Sequence, residues 1–253
     1  MQNSICTRIK SAFRLIALLL VTIPVVGTPL ACATLAEGLA AYNLADYPSA
    51  LRELMPMANK GDAMAQYQIG KMTSLGQGMV KDARSAAEWF HKAAEQGLAE
   101  AQAALGYLCL IGEGVSQNND LALVWTRKAA DQGYALAQFN LAVMYGDSHG
   151  IKKNPAESLK WMRKAADQGQ KDALYSLASM YQEGKGVTRD VVLAYLLFDL
   201  AGRNGHADAL NGRHAVAKKM SPVQVQEARS LADVWKRGIS LPARSKTGAK
   251  NPK

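Results

Sequence analysis

Cysteine and aromatic residues are scarce in this sequence. Three of the 253 residues are cysteine and no Cys-x-x-Cys pair occurs, so the chain encodes neither a multiple-disulfide scaffold nor a zinc module built on paired cysteines. Aromatic residues make up 7% of the chain, whereas alanine is abundant, and small side chains favour helices that pack closely. Because 49% of the residues are hydrophobic, a sizeable core is available and global disorder is excluded.

Acidic residues are missing from both ends of the chain. Arg8, Lys10 and Arg14 precede the first apolar run, and the last ten residues contain four cations and no acid. Subtracting these seven charges from the net charge of +9 leaves +2 for everything between. The basic composition therefore does not indicate nucleic-acid binding. The stretch 239–253 is predicted to be a disordered basic tail.

The motifs of several enzyme classes are also missing. The sequence contains no His-Glu-x-x-His and no Ser-x-x-Lys, and the β-lactamase-like triplet Lys246-Thr247-Gly248 lies in the predicted tail. The stretch Gly184-Lys185-Gly186 precedes a predicted helix, but it lacks the preceding strand and the Gly-Lys-Ser/Thr ending of a phosphate-binding loop. The sequence thus predicts no catalytic residue, no metal site and no cofactor.

The first 33 residues are typical of a secretory signal peptide. Three cations precede an apolar run over 15–26, and Ala31-Cys32-Ala33 places small residues at the two positions that a signal peptidase recognises. Twelve helical residues span about 18 Å, well short of the ~30 Å hydrocarbon core of a membrane. We therefore expect export to the periplasm, cleavage after Ala33 and no stable membrane span in the mature chain.

Two alternatives to simple cleavage remain open. In the first alternative, the apolar run stays uncleaved and serves as a membrane anchor. The other is a lipoprotein anchored through Cys32, because Pro29-Leu30-Ala31-Cys32 resembles a lipobox in which proline replaces the usual leucine. Cleavage after Ala33 would leave Cys109 as the single cysteine. This residue occupies a helical core position, so we expect a buried thiol and no internal disulfide.

A 36-residue repeat organises the centre of the chain, and its phase holds over four units without an insertion. Five columns define it: Gly61, Gly97, Gly133, Gly169, Gly205; Ala65, Ala101, Ala137, Ala173, Ala209; Trp89, Trp125, Trp161, then Leu197; Ala93, Ala129, Ala165, Ala201; and Gly78, Gly114, Gly150, Gly186. The units are 61–96, 97–132, 133–168 and 169–204. Internal self-similarity at a fixed period of this length is the signature of a solenoid or a related repeat fold.

The first half of each unit predicts a helix followed by a turn. In the first unit Ala65, Ile69 and Met72 are spaced four and three residues apart, which places them on one helix face. Gly76 and Gly78 then end the helix and provide the backbone freedom that the turn needs. An apolar residue expected to be buried at the turn follows the glycines in each unit: Met79, Val115, Ile151 and Val187. The third unit departs from the pattern, with Ser148 at a glycine position.

The second half of each unit predicts a second helix. Its N-cap is Asp82, Asn118, Asn154 or Asp190 in the four units, residue types that accept hydrogen bonds from the free amides of a first turn. Ala86, Trp89 and Ala93 form its apolar stripe, and Gly97 ends it. Two helices of about 12 residues cannot bury both apolar stripes alone, so neighbouring units must stack into a helical solenoid.

The two ends of the array are atypical, as a capped solenoid requires. Residues 34–60 predict an incomplete pair, with helices over 35–44 and 48–59 and a kink at Pro56. Residues 205–238 predict C-terminal capping helices. The last of these begins at Ser221, and Gln224 completes a capping box with it.

The segment Lys92–Gln102 and the turn Gly184-Lys185-Gly186-Val187 resemble the Sel-1-like repeat family, a relative of tetratricopeptide repeats with a slightly longer unit. The resemblance covers about residues 35–238. It implies an all-α fold: a right-handed α-solenoid of stacked antiparallel helix pairs. It also implies the adaptor or scaffold role typical of the family in signalling, envelope and stress pathways. A protein partner is therefore the expected ligand.

The partner surface is predicted from columns whose character varies between units. Such a stripe lies one position before the core columns of the first helix, and the resemblance places it on the concave groove. The predicted contact residues are Gln68, Lys71, Glu100, Tyr107, Asn140, Val143, Ser176 and Ser179. Two other functions remain as alternatives. One is binding of peptidoglycan or another envelope polymer. The other is a β-lactam-hydrolase-like activity, although the cysteine pairs of the relatives linked to β-lactam binding are absent.

Overall fold

The computed structural model describes residues 34–147 and 151–242, and within those ranges the chain is all-α. The helices are α1 (Leu35–Asn43), α2 (Tyr47–Asn59), α3 (Ala63–Leu75), α4 (Ala83–Glu95), α5 (Ala99–Ile111), α6 (Asn119–Asp131), α7 (Ala135–Asp147), α8 (Pro155–Asp167), α9 (Lys171–Glu183), α10 (Val191–Arg203), α11 (Ala209–Ala217) and α12 (Pro222–Val234). Successive helices pack against each other from α1 to α11, and α12 packs back on α10. The predicted solenoid of stacked helix pairs is confirmed.

Each repeat consists of a first helix, A, and a second helix, B, both 13 residues long. The A helices are α3, α5, α7 and α9, and the B helices are α4, α6, α8 and α10. The predicted B-helix caps are present: the side chains of Asp82, Asn118, Asn154 and Asp190 each accept a hydrogen bond from a first-turn amide. Because the cap is set by sequence alone, every B helix begins at the same place in its unit.

The turn between the two helices of a unit has a fixed geometry. Gly76 ends α3 in the left-handed conformation at φ 69°, and Gly78 follows at φ 73°. The amide of the B-helix cap residue then donates to a carbonyl in the last turn of the A helix, as from Asn118 to Cys109 at 2.8 Å. The equivalent bond recurs in the other three units, so the turn is closed the same way each time. The predicted distortion at Ser148 falls on residues outside the described part of the chain.

The core is built from small side chains in the repeated columns. Ala65, Ala101, Ala137 and Ala173 on the A helices and Ala93, Ala129, Ala165 and Ala201 on the B helices have no exposed surface. Small residues at these positions let the helices of a pair approach closely, and larger residues such as Leu141 and Trp161 fill the space between pairs. Alanine abundance in the sequence is thus explained by interhelical packing.

The N-terminal pair caps the first repeat. Thr34 accepts a hydrogen bond from the amide of Glu37 and starts α1, and Asp46 accepts one from Ser49 and starts α2. Helix α2 continues past Pro56 to Asn59. The side chains of Ala50 and Leu54 are fully buried, so this pair contributes a core of its own.

The C-terminal helices are held by an ion-pair cluster around one buried carboxylate as well as by packing. Asp199 on α10 has a side chain 7% exposed, and it pairs with Arg213 of α11 and with Arg203, whose Nε lies 2.7 Å from a carboxylate oxygen. Arg203 also reaches Asp233 of α12 at 2.8 Å. The predicted capping box of Ser221 and Gln224 is present. One carboxylate therefore connects the last repeat to the helices that close the array.

The boundary of the C-terminal tail differs from the prediction. The disordered tail is predicted to begin at residue 239, but Leu241 packs against the core and bonds to the end of α8, while Ile239 and Ser240 are exposed. The amide of Leu241 donates to the Asp167 carboxylate at 2.8 Å, and the amide of Gly238 donates to the Asp167 carbonyl at 2.8 Å. The apolar side chain of Leu241 is half-buried, which is the physical reason for its attachment. The rest of the predicted tail, and the predicted signal peptide, lie outside the described residues. Among the helices of the described part, none is long and apolar enough to cross a membrane.

Candidate interaction surface

The predicted contact stripe lies along one side of the A helices. Four positions per helix, spaced four, three and four residues apart, fall within about 60° of each other at 100° per residue. We call these residues the A-helix face: Met64, Gln68, Lys71, Leu75; Glu100, Ala104, Tyr107, Ile111; Leu136, Asn140, Val143, Asp147; Asp172, Ser176, Ser179, Glu183. The fourth position of each group, at the end of the helix, was not included in the prediction.

The exposure of the predicted residues is uneven. Tyr107 is 53% exposed and is the most accessible of them, whereas Lys71, Glu100, Asn140, Val143, Ser176 and Ser179 are half-buried. Gln68 corrects the prediction, because it is only 4% exposed and therefore presents no surface to a partner. The N-terminal pair covers this end of the stripe, with Lys71 Nζ 5.0 Å from the ring centre of Tyr42 in α1.

The predicted contact stripe omits two exposed apolar residues of the A-helix face. Leu75 is 61% exposed and Ile111 is 44% exposed, at equivalent positions of neighbouring A helices. Tyr107 lies one helical turn before Ile111. Exposed aliphatic and aromatic side chains in one place mark an interaction site more often than isolated ones do. The signal was available in the sequence, since these positions continue the variable stripe by one turn.

A group of tyrosines flanks the stripe at its N-terminal end. Lys71 Nζ lies 5.7 Å from the ring centre of Tyr67 as well as over Tyr42. Burial raises the pKa of Tyr67 to about 12, and the nearby Tyr134 and Glu100 add to the shift. Burial also raises the pKa of Tyr134. Tyr67 and Tyr134 therefore stay neutral at physiological pH, and Lys71 lies over the rings of Tyr42 and Tyr67.

Charge changes along the face. In the second to fourth repeats its charged residues are all acidic: Glu100, Asp147, Asp172 and Glu183. At the far end His206 stacks on Tyr175, with ring centres 4.0 Å apart, and its Nε2 lies 3.8 Å from Asp172. The face is thus apolar around Tyr107 and acidic toward the fourth repeat.

The opposite side of the array is formed by the B helices. The predicted tryptophan column is mostly core, with Trp125 8% and Trp161 3% exposed, although Trp89 is only half-buried. The lysine three residues later covers each ring, as Lys128 Nζ does at 4.1 Å from the Trp125 ring centre. These lysines shield the indoles from water.

The described residues contain no catalytic arrangement that we recognise. Cys109 is 2% exposed and burial raises its pKa, so its thiol is not poised as a nucleophile. No group of three or more His, Cys, Asp or Glu side chains in these residues is placed to hold a metal ion. Gly146–Gly150 matches Gly-x-Ser-x-Gly by letters. That motif requires a strand before the serine, whereas here helix α7 runs to Asp147.

Taken together, the capped A and B helices, their 36-residue phase and a variable A-helix face define a helical-repeat protein of the solenoid class. The profile of the Sel1 repeat family matches four consecutive segments, residues 63–98, 99–134, 135–170 and 171–206. The chain belongs to the Sel1 repeat family. The matched segments begin two residues after the predicted units because the family profile starts each unit at the A helix.

Solved structures support the same assignment. A Sel1 repeat protein from Oxalobacter formigenes is 26% identical, with 80% of this chain and 97% of that chain covered and a TM-score of 0.64. The protective antigen c5321 of uropathogenic Escherichia coli, which has an SLR fold, is 28% identical, with 85% of this chain and 58% of that chain covered and a TM-score of 0.50. A comparison with curated proteins gives no match.

Proposed function

We propose that this chain is a non-enzymatic scaffold of the bacterial envelope that binds a protein partner along the A-helix face. The observation that carries the proposal is the exposure of three apolar side chains of this face on two neighbouring A helices: Leu75, Tyr107 and Ile111 are 61%, 53% and 44% exposed. A partner that covers these side chains would gain about 25 cal/mol of binding free energy for each Å² of apolar surface removed from water. Sel1 repeats commonly serve as protein-interaction scaffolds, which supports the same function.

The envelope location is part of the proposal and is supported by the sequence. The cationic start, the short apolar run and Ala31-Cys32-Ala33 form a signal peptide pattern. A fold stabilised by packing, with its single described cysteine buried and unpaired, does not depend on the redox state of the compartment.

Site-directed photo-crosslinking tests the proposed surface. A photoreactive amino acid is placed at Tyr107, or as a matched control at Lys128 on the opposite side, and the protein is irradiated in cells before envelope fractionation. We expect a discrete crosslinked protein from position 107 and none of that mass from position 128. Crosslinks from 128 alone would move the partner to the B helices and overturn the proposed surface.

Two further assays separate the alternatives. Cosedimentation with purified peptidoglycan would favour an envelope-polymer-binding module if the purified protein pellets with the polymer. Turnover of a chromogenic β-lactam would indicate an enzyme. We expect no turnover, since the described residues show no arrangement of nucleophile and base that we recognise. We also expect no cosedimentation, since the exposed side chains of the A-helix face that carry the proposal are apolar.

A further inference from the structure

The segment after α12 follows the edge of the array where each B helix is succeeded by the next A helix. Arg237 donates to the side-chain oxygen of Asn204 at the end of α10, and its side chain lies against Gly169. The amide of Leu241 then donates to the carboxylate of Asp167 at the end of α8. The segment therefore runs from the fourth repeat back to the third, and its last described residues lie near the start of α9.

The start of α9 carries an acidic residue of the A-helix face. Asp172 follows Asp167 by five residues, which span at most about 18 Å when fully extended. The side-chain amide of Gln170, in the turn before α9, donates to the Asp172 carboxylate at 2.9 Å. Asp172 thus lies at the same edge as the attachment point of Leu241. A chain that continues from Leu241 needs only a few residues to reach the A-helix face.

The charge of the A-helix face in the third and fourth repeats comes from three acids, Asp147, Asp172 and Glu183, which we call the acidic end. Within the described residues none of the three pairs with a lysine or an arginine, and Asp172 approaches the imidazole of His206 at 3.8 Å. The other ion pairs use acids of the B helices, the turns and the terminal helices. A surface with charges of one sign attracts a ligand of the opposite sign, so the acidic end favours a cationic occupant.

The surface between two of these acids is made of small polar side chains. Asp172 and Glu183 are 11 residues apart on α9, about 17 Å. Ser176 and Ser179 lie between them on the same side of the helix and are half-buried. In the second repeat this part of the face carries the ring of Tyr107 instead. An extended backbone can therefore lie closer to α9 than to the corresponding helix of the second repeat.

Residues 243–253, which follow the described part of the chain, match the acidic end in charge and in length. They contain no acid, and their cations are Arg244, Lys246, Lys250 and Lys253. Lys250 and Lys253 follow Leu241 by nine and twelve residues, or about 30 and 40 Å in an extended chain. This reach is enough to pass Asp172 and arrive at Glu183.

We propose that residues 243–253 bind to the acidic end of the A-helix face of their own chain. Arg244 and Lys246 lie at Asp172 in this arrangement, and the two later lysines lie toward Glu183. Each exposed ion pair contributes little. However, the short tether keeps the segment at an effective concentration on the order of mM, so weak contacts are sufficient for occupancy.

The bound segment would limit which partners the A-helix face accepts. It neutralises the acidic end against a cationic partner and leaves Leu75, Tyr107 and Ile111 uncovered in the first two repeats. This consequence rests on the proposed function, whereas the contact between the segment and the acidic end needs no partner. The two can therefore fail separately.

Disulfide trapping in the full chain tests the contact without a partner. Ala249→Cys is combined with Ser176→Cys on the A-helix face or, as a matched control, with Lys164→Cys on α8. Lys164 is exposed and lies one turn before Asp167, so it is closer than Ser176 to the point where the segment is attached. A segment that is not bound would therefore react at least as fast with the control position.

The background of both proteins is Cys6→Ser with Cys32→Ser, and Cys109 stays out of reach because it is 2% exposed. The rate of intramolecular disulfide formation under oxidised glutathione is followed by peptide mapping. We expect the pair on the A-helix face to close at least tenfold faster than the control pair at low salt. The preference should disappear in 1 M NaCl, where the Debye length is about 3 Å. Equal rates at low salt would overturn the contact, and a preference that survives 1 M NaCl would overturn its electrostatic basis.

Charge variants identify the groups that hold the segment. Asp172→Asn combined with Glu183→Gln should abolish the preference with an unchanged circular dichroism spectrum. Lys246→Gln combined with Lys250→Gln should do the same without altering the folded repeats. Asp131→Asn removes an exposed acid at the end of α6, further along the same edge, and should leave the rates unchanged. A preference that survives the loss of both lysines, or that depends on Asp131, would overturn the proposal.

Discussion

The side-chain amide of Gln132 donates to the side-chain oxygen of Gln102 at 2.8 Å, across 30 residues of sequence. Gln102 in turn donates to the carbonyl of Ala94 at 3.1 Å. The pair Gln96 and Gln66 and the pair Gln168 and Gln138 repeat this arrangement. Each pair ties the end of a B helix to the A helix of the same unit. The buried member of each pair also donates to the carbonyl of the preceding B helix, and this bond connects the unit to the one before it.

Gln102→Ala should therefore lower the free energy of unfolding by about 0.5–1.5 kcal/mol, because it removes the side-chain bond to the Ala94 carbonyl, which keeps its bond from the Gly97 amide. Gln102→Leu copies Leu174, which occupies the same position in the fourth repeat. We expect it to be less costly than the alanine variant, since it restores the apolar volume. Urea denaturation followed by circular dichroism measures both, and equal stability of the alanine variant and the native protein would refute the structural role.

Tyr107 and Trp125 should separate binding from folding. Tyr107→Ala should weaken partner capture by about 1–2 kcal/mol, roughly 5- to 30-fold, with little change in Tm, because the ring is 53% exposed. Trp125→Ala should cost about 3–5 kcal/mol of stability, because that ring is 8% exposed and lies in the core. Thermal melts check the stability of both variants, and pulldown of the partner identified by photo-crosslinking checks its capture by Tyr107→Ala. A similar loss of Tm in both variants would mean that Tyr107 is a packing residue.

Asp82 gives a prediction on pH. Hydrogen bonds from the side chain and amide of Ser85 hold the pKa of Asp82 below its usual 3.8. A carboxyl whose pKa is lowered by folding stabilises the protein fully above the unfolded value and loses that contribution as pH falls through the folded value. Asp82→Asn keeps a cap of the type that Asn118 and Asn154 provide. The difference in unfolding free energy between the native protein and the variant should therefore shrink as the pH falls from 5 to strongly acidic values. Urea denaturation at each pH measures this difference. A difference that stays constant would contradict the stabilising role of the ionised Asp82 cap.

Export should leave Thr34 at the N-terminus. Thr34 is the cap of α1: it accepts from the Glu37 amide at 3.2 Å and donates to the Glu37 carboxylate at 2.8 Å. Cleavage after Ala33 keeps this cap, whereas cleavage one residue later removes it. The intact mass of the protein purified from the envelope fraction shows which residue is at the N-terminus. A diacylated Cys32 would replace this outcome with the lipoprotein, and an uncleaved cytoplasmic chain would contradict both.

Much of the candidate surface could be predicted from periodicity, and the errors have specific causes. The spacing of Lys71 and Tyr107 predicts that they share one side of the array; Tyr107 is 53% exposed and Lys71 is half-buried, and their contact with a partner stays a prediction. Gln68 satisfies the same spacing but is buried. The spacing could not predict this, because helical periodicity does not show which part of a helix a neighbouring helix covers. Leu75 and Ile111 were missed because the predicted stripe stopped one turn short.

The sequence by itself determined the local structure of this protein. Glycines at fixed intervals, N-cap residues and apolar columns act within a few residues, so they set where each helix begins and ends regardless of the rest of the chain. Tertiary structure decided what depends on contacts between helices. The glutamine pairs, the Asp199 cluster and the packing of Leu241 on α8 join residues that are distant in sequence. Their energy comes from burying polar and apolar groups together, which only the stacked helices make possible.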